Sequence, residues 1–174
     1  FISVLTSGRR DLRILAASQI LGILGQGVLG GITVLTDLNP LAVASHLLLS
    51  IILIAAATSL YTRRRHPEIR TNATQIRISR ISLSHISLAY LVIVLGTLVT
   101  GSGPHAGDID APRLDFHITS ITRIHSASVW LLLITTFFFF RAPDLPYRTK
   151  RWLIAFTILA CAQGTIGYIQ YSSV

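Results

Sequence analysis

Five long apolar blocks constrain the fold of this 174-residue sequence more than any other feature. They lie at residues 14–35, 41–61, 83–101, 120–140 and 152–172. A helix needs about 20 apolar residues to cross a bilayer, and it satisfies its own backbone hydrogen bonds there. Only 13% of the residues are charged, about half the fraction of a soluble domain. The sequence therefore predicts an all-α fold, a polytopic membrane helical bundle with five transmembrane helices.

The net charge of +8 is distributed unevenly among the connections between these blocks. Basic residues precede the first block and fill two connections: Arg9, Arg10, Arg13, Arg63, Arg64, Arg65, Arg70, Arg77, Arg80, Arg141, Arg148, Lys150 and Arg151. The other two connections hold Asp37, Asp108, Asp110 and Asp115 and a single arginine, Arg113. By the positive-inside rule, the N-terminus is cytoplasmic and the C-terminus lies outside. A nucleic-acid-binding protein would gather its charge on one polar face, so that class is excluded.

An internal repeat relates the first and fifth blocks. Residues 26–32 read QGVLGGI and residues 163–169 read QGTIGYI, at an offset of 137 residues. Both blocks cross in the same direction, which predicts parallel repeats and a parent protein of eight helices in a duplicated four-helix (4+4) architecture. The chain is then expected to be a segment of a longer polypeptide. Residues 1–61 would end the N-terminal half, 62–82 form a basic cytoplasmic linker, and 83–174 form the C-terminal half without its last helix.

Two histidines, His46 and His125, lie inside apolar blocks near their outer ends. An imidazole at that depth is costly unless it has a partner, so each is a candidate functional residue. One interpretation is a histidine hydrogen-bonded across helices. The other is axial ligation of heme iron, which helical bundles provide from facing helices. A zinc site would need several converging ligands, and the apolar blocks contain no such set.

Three further residues could contact heme propionates at the outer aqueous edge. Arg113 and Arg123 can each pair with a carboxylate, although an arginine that snorkels to the interface explains them equally well. His105 lies in a turn-forming segment, where it could contact propionates or relay protons, and a solvated loop histidine is the simpler interpretation.

The glycines of the first block have two interpretations, and two glutamines, one each in the first and fifth blocks, are unusual polar residues in lipid. Helix packing at small residues and close approach to a porphyrin face both explain the glycines, Gly22, Gly25, Gly27, Gly30 and Gly31. For Gln26 and Gln163 we expect interhelical hydrogen bonds.

Five motifs occur in order along the chain: residues 30–36 (GGITVLT), 44–50 (ASHLLLS), 95–108 (LGTLVTGSGPHAGD), 123–127 (RIHSA) and 162–171 (AQGTIGYIQY). In this order and spacing, they together resemble the heme A synthase family in its actinobacterial form. The resemblance places the chain at roughly helices three to seven of eight. It implies a multi-pass protein of the bacterial plasma membrane that oxidises the C8 methyl of heme O to a formyl group, producing heme A.

The resemblance also assigns roles to the two intramembrane histidines. His46 would be an axial ligand of the substrate, heme O, and His125 an axial ligand of a heme b cofactor. Their partner histidines, a second-helix glutamate and a first-loop cysteine pair are not in this sequence, so this segment alone is expected to be inactive. Implied partners are membrane lipid, heme O synthase, cytochrome oxidase assembly factors and a second copy of the chain.

Two alternatives to the enzyme remain at this point. One is a b-type cytochrome-like membrane protein that transfers electrons without a substrate of its own. The other is a transporter or assembly subunit without heme.

Overall fold

Five long helices make up the regular structure of the computed structural model, which describes residues 8–65, 80–104, 108–142 and 145–172. They are α1 (Arg10–Leu35), α2 (Pro40–Arg65), α3 (Arg80–Ser102), α4 (Ile118–Phe140) and α5 (Tyr147–Ser172). Each is long and apolar enough to span a membrane. No strand occurs in the described ranges. The predicted all-α membrane fold is confirmed.

The helices extend beyond the apolar blocks at their basic ends. α1 starts four residues earlier than predicted, at Arg10, and α2 continues to Arg65. Hydropathy detects the lipid-facing part of a helix, whereas backbone hydrogen bonds continue into the interfacial region, where arginine side chains reach water. The three arginines that end α2 also interact favourably with the negative end of its dipole.

A short turn connects α1 to α2 and makes the two helices antiparallel neighbours. The N–H of Leu38 donates to the carbonyl of Thr33 (2.9 Å) and that of Asp37 to Val34 (3.3 Å), the bonding pattern of a Schellman motif. Asp37 and Leu38 both have positive φ, 50° and 60°. Asn39 then caps α2, since its Oδ1 accepts from the Leu41 N–H at 3.0 Å.

Small residues of α1 bring its backbone close to α2. A Cβ at Gly22 would collide with Leu53, and one at Gly25 would lie 3.4 Å from Leu49 Cδ2. Near the charged ends Leu12 and Ala16 are buried, with Leu60 packed against them. Close backbone approach at small residues is the usual basis of helix association in lipid.

Most large apolar side chains are exposed, as a lipid-facing surface requires. Leu21 is 72% exposed and Leu35 84%. In water such a surface would cause aggregation, whereas hydrocarbon solvates it.

The chain divides into two compact units. Unit 1 comprises residues 1–77 and 97–118, and unit 2 comprises 78–96 and 119–174. Unit 1 therefore holds α1, α2 and the last turns of α3, and unit 2 holds the rest of α3 with almost all of α4 and α5. The domain boundaries drawn from the repeat stay a prediction.

Gly101 makes a tight contact in unit 1 that a larger residue should disrupt. A Cβ there would lie 2.9 Å from the Cβ of Pro40 and 3.0 Å from Leu114 Cδ1. The proline ring has little freedom to yield, so we expect Gly101→Ala to cost about 1–3 kcal/mol, the usual range for overpacking. Thermal unfolding of the detergent-solubilised protein measures this. Gly27→Ala is the control, because a Cβ at this position meets nothing within 4 Å. Equal midpoint temperatures of unfolding for the two variants would contradict the prediction.

Candidate functional site

His46 lies two turns into α2, half-buried against α1. Its Nδ1 is buried and has no hydrogen-bond partner among the described residues. Gly30 of α1 faces the imidazole ring. A Cβ at this glycine would lie 3.4 Å from the imidazole Cε1 and 3.8 Å from Nδ1. The ring is therefore seated against the backbone of α1 with one nitrogen left unpaired.

Gln26 holds the backbone of the same histidine. Its Nε2 donates to the His46 carbonyl (3.1 Å) and to Ser50 Oγ (2.6 Å). Ser50 Oγ donates in turn to the His46 carbonyl at 3.0 Å. The interhelical hydrogen bond expected for Gln26 is confirmed, while its Oε1 is buried without a partner. Gln163 is exposed, and the corresponding expectation for it stays a prediction.

His125 occupies a similar environment in unit 2. It is half-buried on α4, and its Nδ1 is buried and has no hydrogen-bond partner among the described residues. Gly96, also on α3, lies against the ring: a Cβ there would be 3.3 Å from Cε1 and 3.8 Å from Nδ1. His46 and His125 thus both combine an unpaired nitrogen with a glycine of the preceding helix.

These surroundings fit a heme ligand. A buried polar atom without a partner costs about 1–3 kcal/mol, and neutral imidazole is a good metal ligand through either nitrogen. Within the described ranges, no group of three or more histidine, cysteine, aspartate or glutamate residues could hold a metal ion. Heme iron would need no such cluster, because each heme would take a single imidazole from this chain, one from His46 and the other from His125.

The three residues predicted to contact propionates have different surroundings. Arg113 is half-buried, and its Nη2 donates to the Asp108 carbonyl at 2.6 Å. Arg123 is exposed on α4. It precedes His125 by two residues, which places the two about 200° apart around the helix. His105 lies outside the described residues. The propionate roles of all three stay predictions.

A cleft of about 490 Å³ lies elsewhere in unit 1. The turn after α1 and the loop after α3 form it: Val34, Asp37, Leu38, Asp108, Asp110 and Ala111. Neither candidate histidine lines it.

Comparison with known families identifies the chain. The model of the COX15-CtaA family, described as cytochrome oxidase assembly protein, matches residues 2–107. The chain belongs to this family. The match includes α1, α2, α3 and His46, and it ends before α4, so that His125 lies beyond it. No curated protein and no solved structure matches the chain.

This cytochrome oxidase assembly family member also contains a buried polar contact that sequence reasoning missed. His85 is 8% exposed and Thr136 3%. The Thr136 hydroxyl donates to the Leu132 carbonyl (2.7 Å) and lies 2.8 Å from His85 Nε2, so the imidazole donates to the hydroxyl. The rings of Phe139 and Phe156 surround the imidazole, each at 5.6 Å between centroids.

The position of His85 in the sequence gave little sign of this contact. It lies near the basic end of its apolar block, which made it only a weak candidate, and its partner is 51 residues away. The contact connects α3 and α4, and the aromatic ring from α5 completes the cluster. We assign it a structural role in unit 2.

Removing the hydroxyl of Thr136 should destabilise unit 2. In Thr136→Val the shape is kept, but the buried N–H of His85 loses its acceptor, which costs about 1–3 kcal/mol. The neighbouring Thr135 also donates to the Leu132 carbonyl, at 2.9 Å, without bonding to His85, so Thr135→Val is the matched control. Thermal unfolding in detergent compares the two, and a similar loss in both variants would refute the role of His85.

Gln26 has an equally close control on its own helix. Gln19 lies seven residues earlier, on the same face of α1, and its Nε2 donates to the Leu53 carbonyl at 3.3 Å. Gln19→Leu loses one interhelical hydrogen bond and Gln26→Leu loses two, each worth about 0.6–2 kcal/mol in lipid. Only Gln26→Leu should also alter ligand binding at His46, because Gln26 donates to the His46 carbonyl and Gln19 does not. Thermal stability and heme content, measured on the same full-length preparations, test this; equal heme content in both variants is the contrary outcome.

Proposed function

We propose that the full-length protein is a heme A synthase, which oxidises the C8 methyl of heme O to a formyl group. One observation carries the proposal: a member of the cytochrome oxidase assembly family holds two intramembrane histidines, each with a buried, unpaired ring nitrogen. Family membership supports a role in oxidase assembly, and heme A is a cofactor that such assembly consumes. The histidines supply the chemistry that connects this role to heme.

The residues of the chain bind and orient the heme. His46 would be an axial ligand of heme O and His125 an axial ligand of heme b. Oxidation of an unreactive methyl group depends on the redox chemistry that heme iron supplies when bound, so the protein contributes position and electrostatics. Gln26 and Gly30 hold His46 in place from α1. The apolar surfaces of the helices exclude water and accommodate the farnesyl tail of heme O, and Arg113 and Arg123 are the candidate partners of the propionates.

The distribution of charge supports an orientation for this multi-pass membrane protein. The basic ends of α1 and α2, with the basic segment before α5, would face the cytoplasm of a bacterial cell. The turn at residues 36–39 and the loop before α4 would then face outward, and both histidines would lie near the outer surface. Heme O synthase, oxidase assembly factors and a second copy of the chain are the proposed partners.

Heme analysis of the full-length protein tests the proposal. The protein is purified from a host that supplies heme O, and its hemes are identified by pyridine hemochrome spectra and chromatography. Wild-type protein should contain heme b and produce heme A. His46→Ala should abolish production of heme A, and His125→Ala should lower heme b content by about 10-fold or more, since each removes an axial ligand.

His117→Ala is the control for both variants, because His117 is exposed in the loop before α4. It should retain wild-type heme content and product. Protein without heme would refute the proposal. Heme b without any heme A would instead support the b-type cytochrome alternative.

A further inference from the structure

Gly30 and Gly96 contact the two candidate heme ligands in the same manner. At each glycine the imidazole Cε1 is the nearest atom to the position of a Cβ, at 3.4 Å for His46 and 3.3 Å for His125. Nδ1 follows at 3.8 Å in both cases. In each unit, then, the same edge of the ring lies against a helix backbone that a glycine leaves uncovered.

The other glycines of the helices show that this contact is not a general property of helix packing here. Gly22 and Gly25 face leucines. Nothing lies within 4 Å of a Cβ at four more: Gly27, Gly31, Gly164 and Gly167. Of the glycines in the described helices, only Gly30 and Gly96 face an imidazole.

Duplication of the chain does not explain the similarity. The repeat relates α1 to α5, so that Gly167 is the counterpart of Gly30. Gly96 lies on α3, which the repeat does not relate to α1. The two glycines therefore occupy unrelated positions in the sequence, and what they share is the histidine that each one faces.

Ring orientation is the property that such a glycine can control. The χ2 torsion of histidine is broad, so the surroundings decide how the ring is turned. A Cβ at Gly96 would lie 3.3 Å from Cε1, closer than ordinary van der Waals contact, and one at Gly30 would lie at 3.4 Å, the lower limit of such contact. Either methyl group would therefore press on the ring, more strongly on that of His125, and would favour a rotation that turns both ring nitrogens away from their present directions.

We propose that Gly30 and Gly96 are positioning residues that set the orientation of His46 and His125 for axial ligation of heme. The inference rests on the proposed function, since it assumes that both histidines are ligands. Beyond the proposed function, the inference names two residues, Gly30 and Gly96, that would act on the histidines through contact with their rings and would not touch the iron. Residues that orient a metal ligand typically change metal affinity by about 10–100-fold when they are replaced.

Alanine substitution in the full-length, heme-loaded protein tests the proposal. Gly96→Ala should shift the low-spin EPR signal and the midpoint potential of heme b and lower its affinity by about 10-fold, the small end of that range. It should leave the heme at His46 unchanged. Gly30→Ala should have the converse effect, so that each variant is a control for the other. Gly96→Ser places the same Cβ against the ring and should shift the signals in the same direction as Gly96→Ala.

Gly27→Ala and Gly31→Ala are the matched controls on α1, because their Cβ atoms meet nothing within 4 Å. Both should retain wild-type spectra. Wild-type EPR signals and potentials in Gly30→Ala and Gly96→Ala would overturn the proposal, even if the two variants were less stable. That result is distinct from failure of the proposed function, in which His46→Ala and His125→Ala themselves retain heme.

Discussion

The absence of water in a bilayer is the constraint on which this structure depends, because every polar group must find a partner within the protein. The helices satisfy their own backbones, and many hydroxyl groups donate back to the carbonyl one turn earlier. Thr33, Thr58 and Thr157 all do so, at 2.8 Å. Few buried polar atoms of the described residues lack a partner, among them Gln26 Oε1, His46 Nδ1, Thr122 Oγ1 and His125 Nδ1. Two of these few belong to the intramembrane histidines, which is why they are the strongest candidates for binding a ligand.

The surroundings of His46 show how one helix can serve both packing and binding. Gln19 and Gln26 lie on the same face of α1 and donate to carbonyls of α2 that are also seven residues apart. Between and beyond them, glycines bring the two backbones together. The same face that joins the helices thus holds the carbonyl and the ring of His46. His125 likewise has a glycine of α3 against its ring.

Hydropathy predicted the five helices because a spanning segment is recognised from its own residues alone. At their basic ends, the predicted helices stop up to five residues short of the observed ones. The start of α5 is an example: hydropathy placed it at residue 152, and the helix begins at Tyr147, because a helix continues where its side chains are no longer apolar. The candidate histidines were also visible in the sequence, as polar residues in apolar blocks. The contacts that define their environments were not. The pairing of His85 with Thr136 and the seating of His125 on Gly96 depend on how separate helices face one another, and hydropathy contains no information about that.

The Schellman turn at Asp37 and Leu38 has a consequence for the order of assembly. It closes α1 and α2 into a hairpin through a connection of four residues, so the entropic cost of bringing the two helices together is small. The contacts of Gln26, Gly30 and Ser50 with His46 all lie within this hairpin. All of these residues precede α3 in the chain, so they are synthesised before it. The orientation of the His46 imidazole therefore depends on contacts that are local in sequence and need none of the later helices.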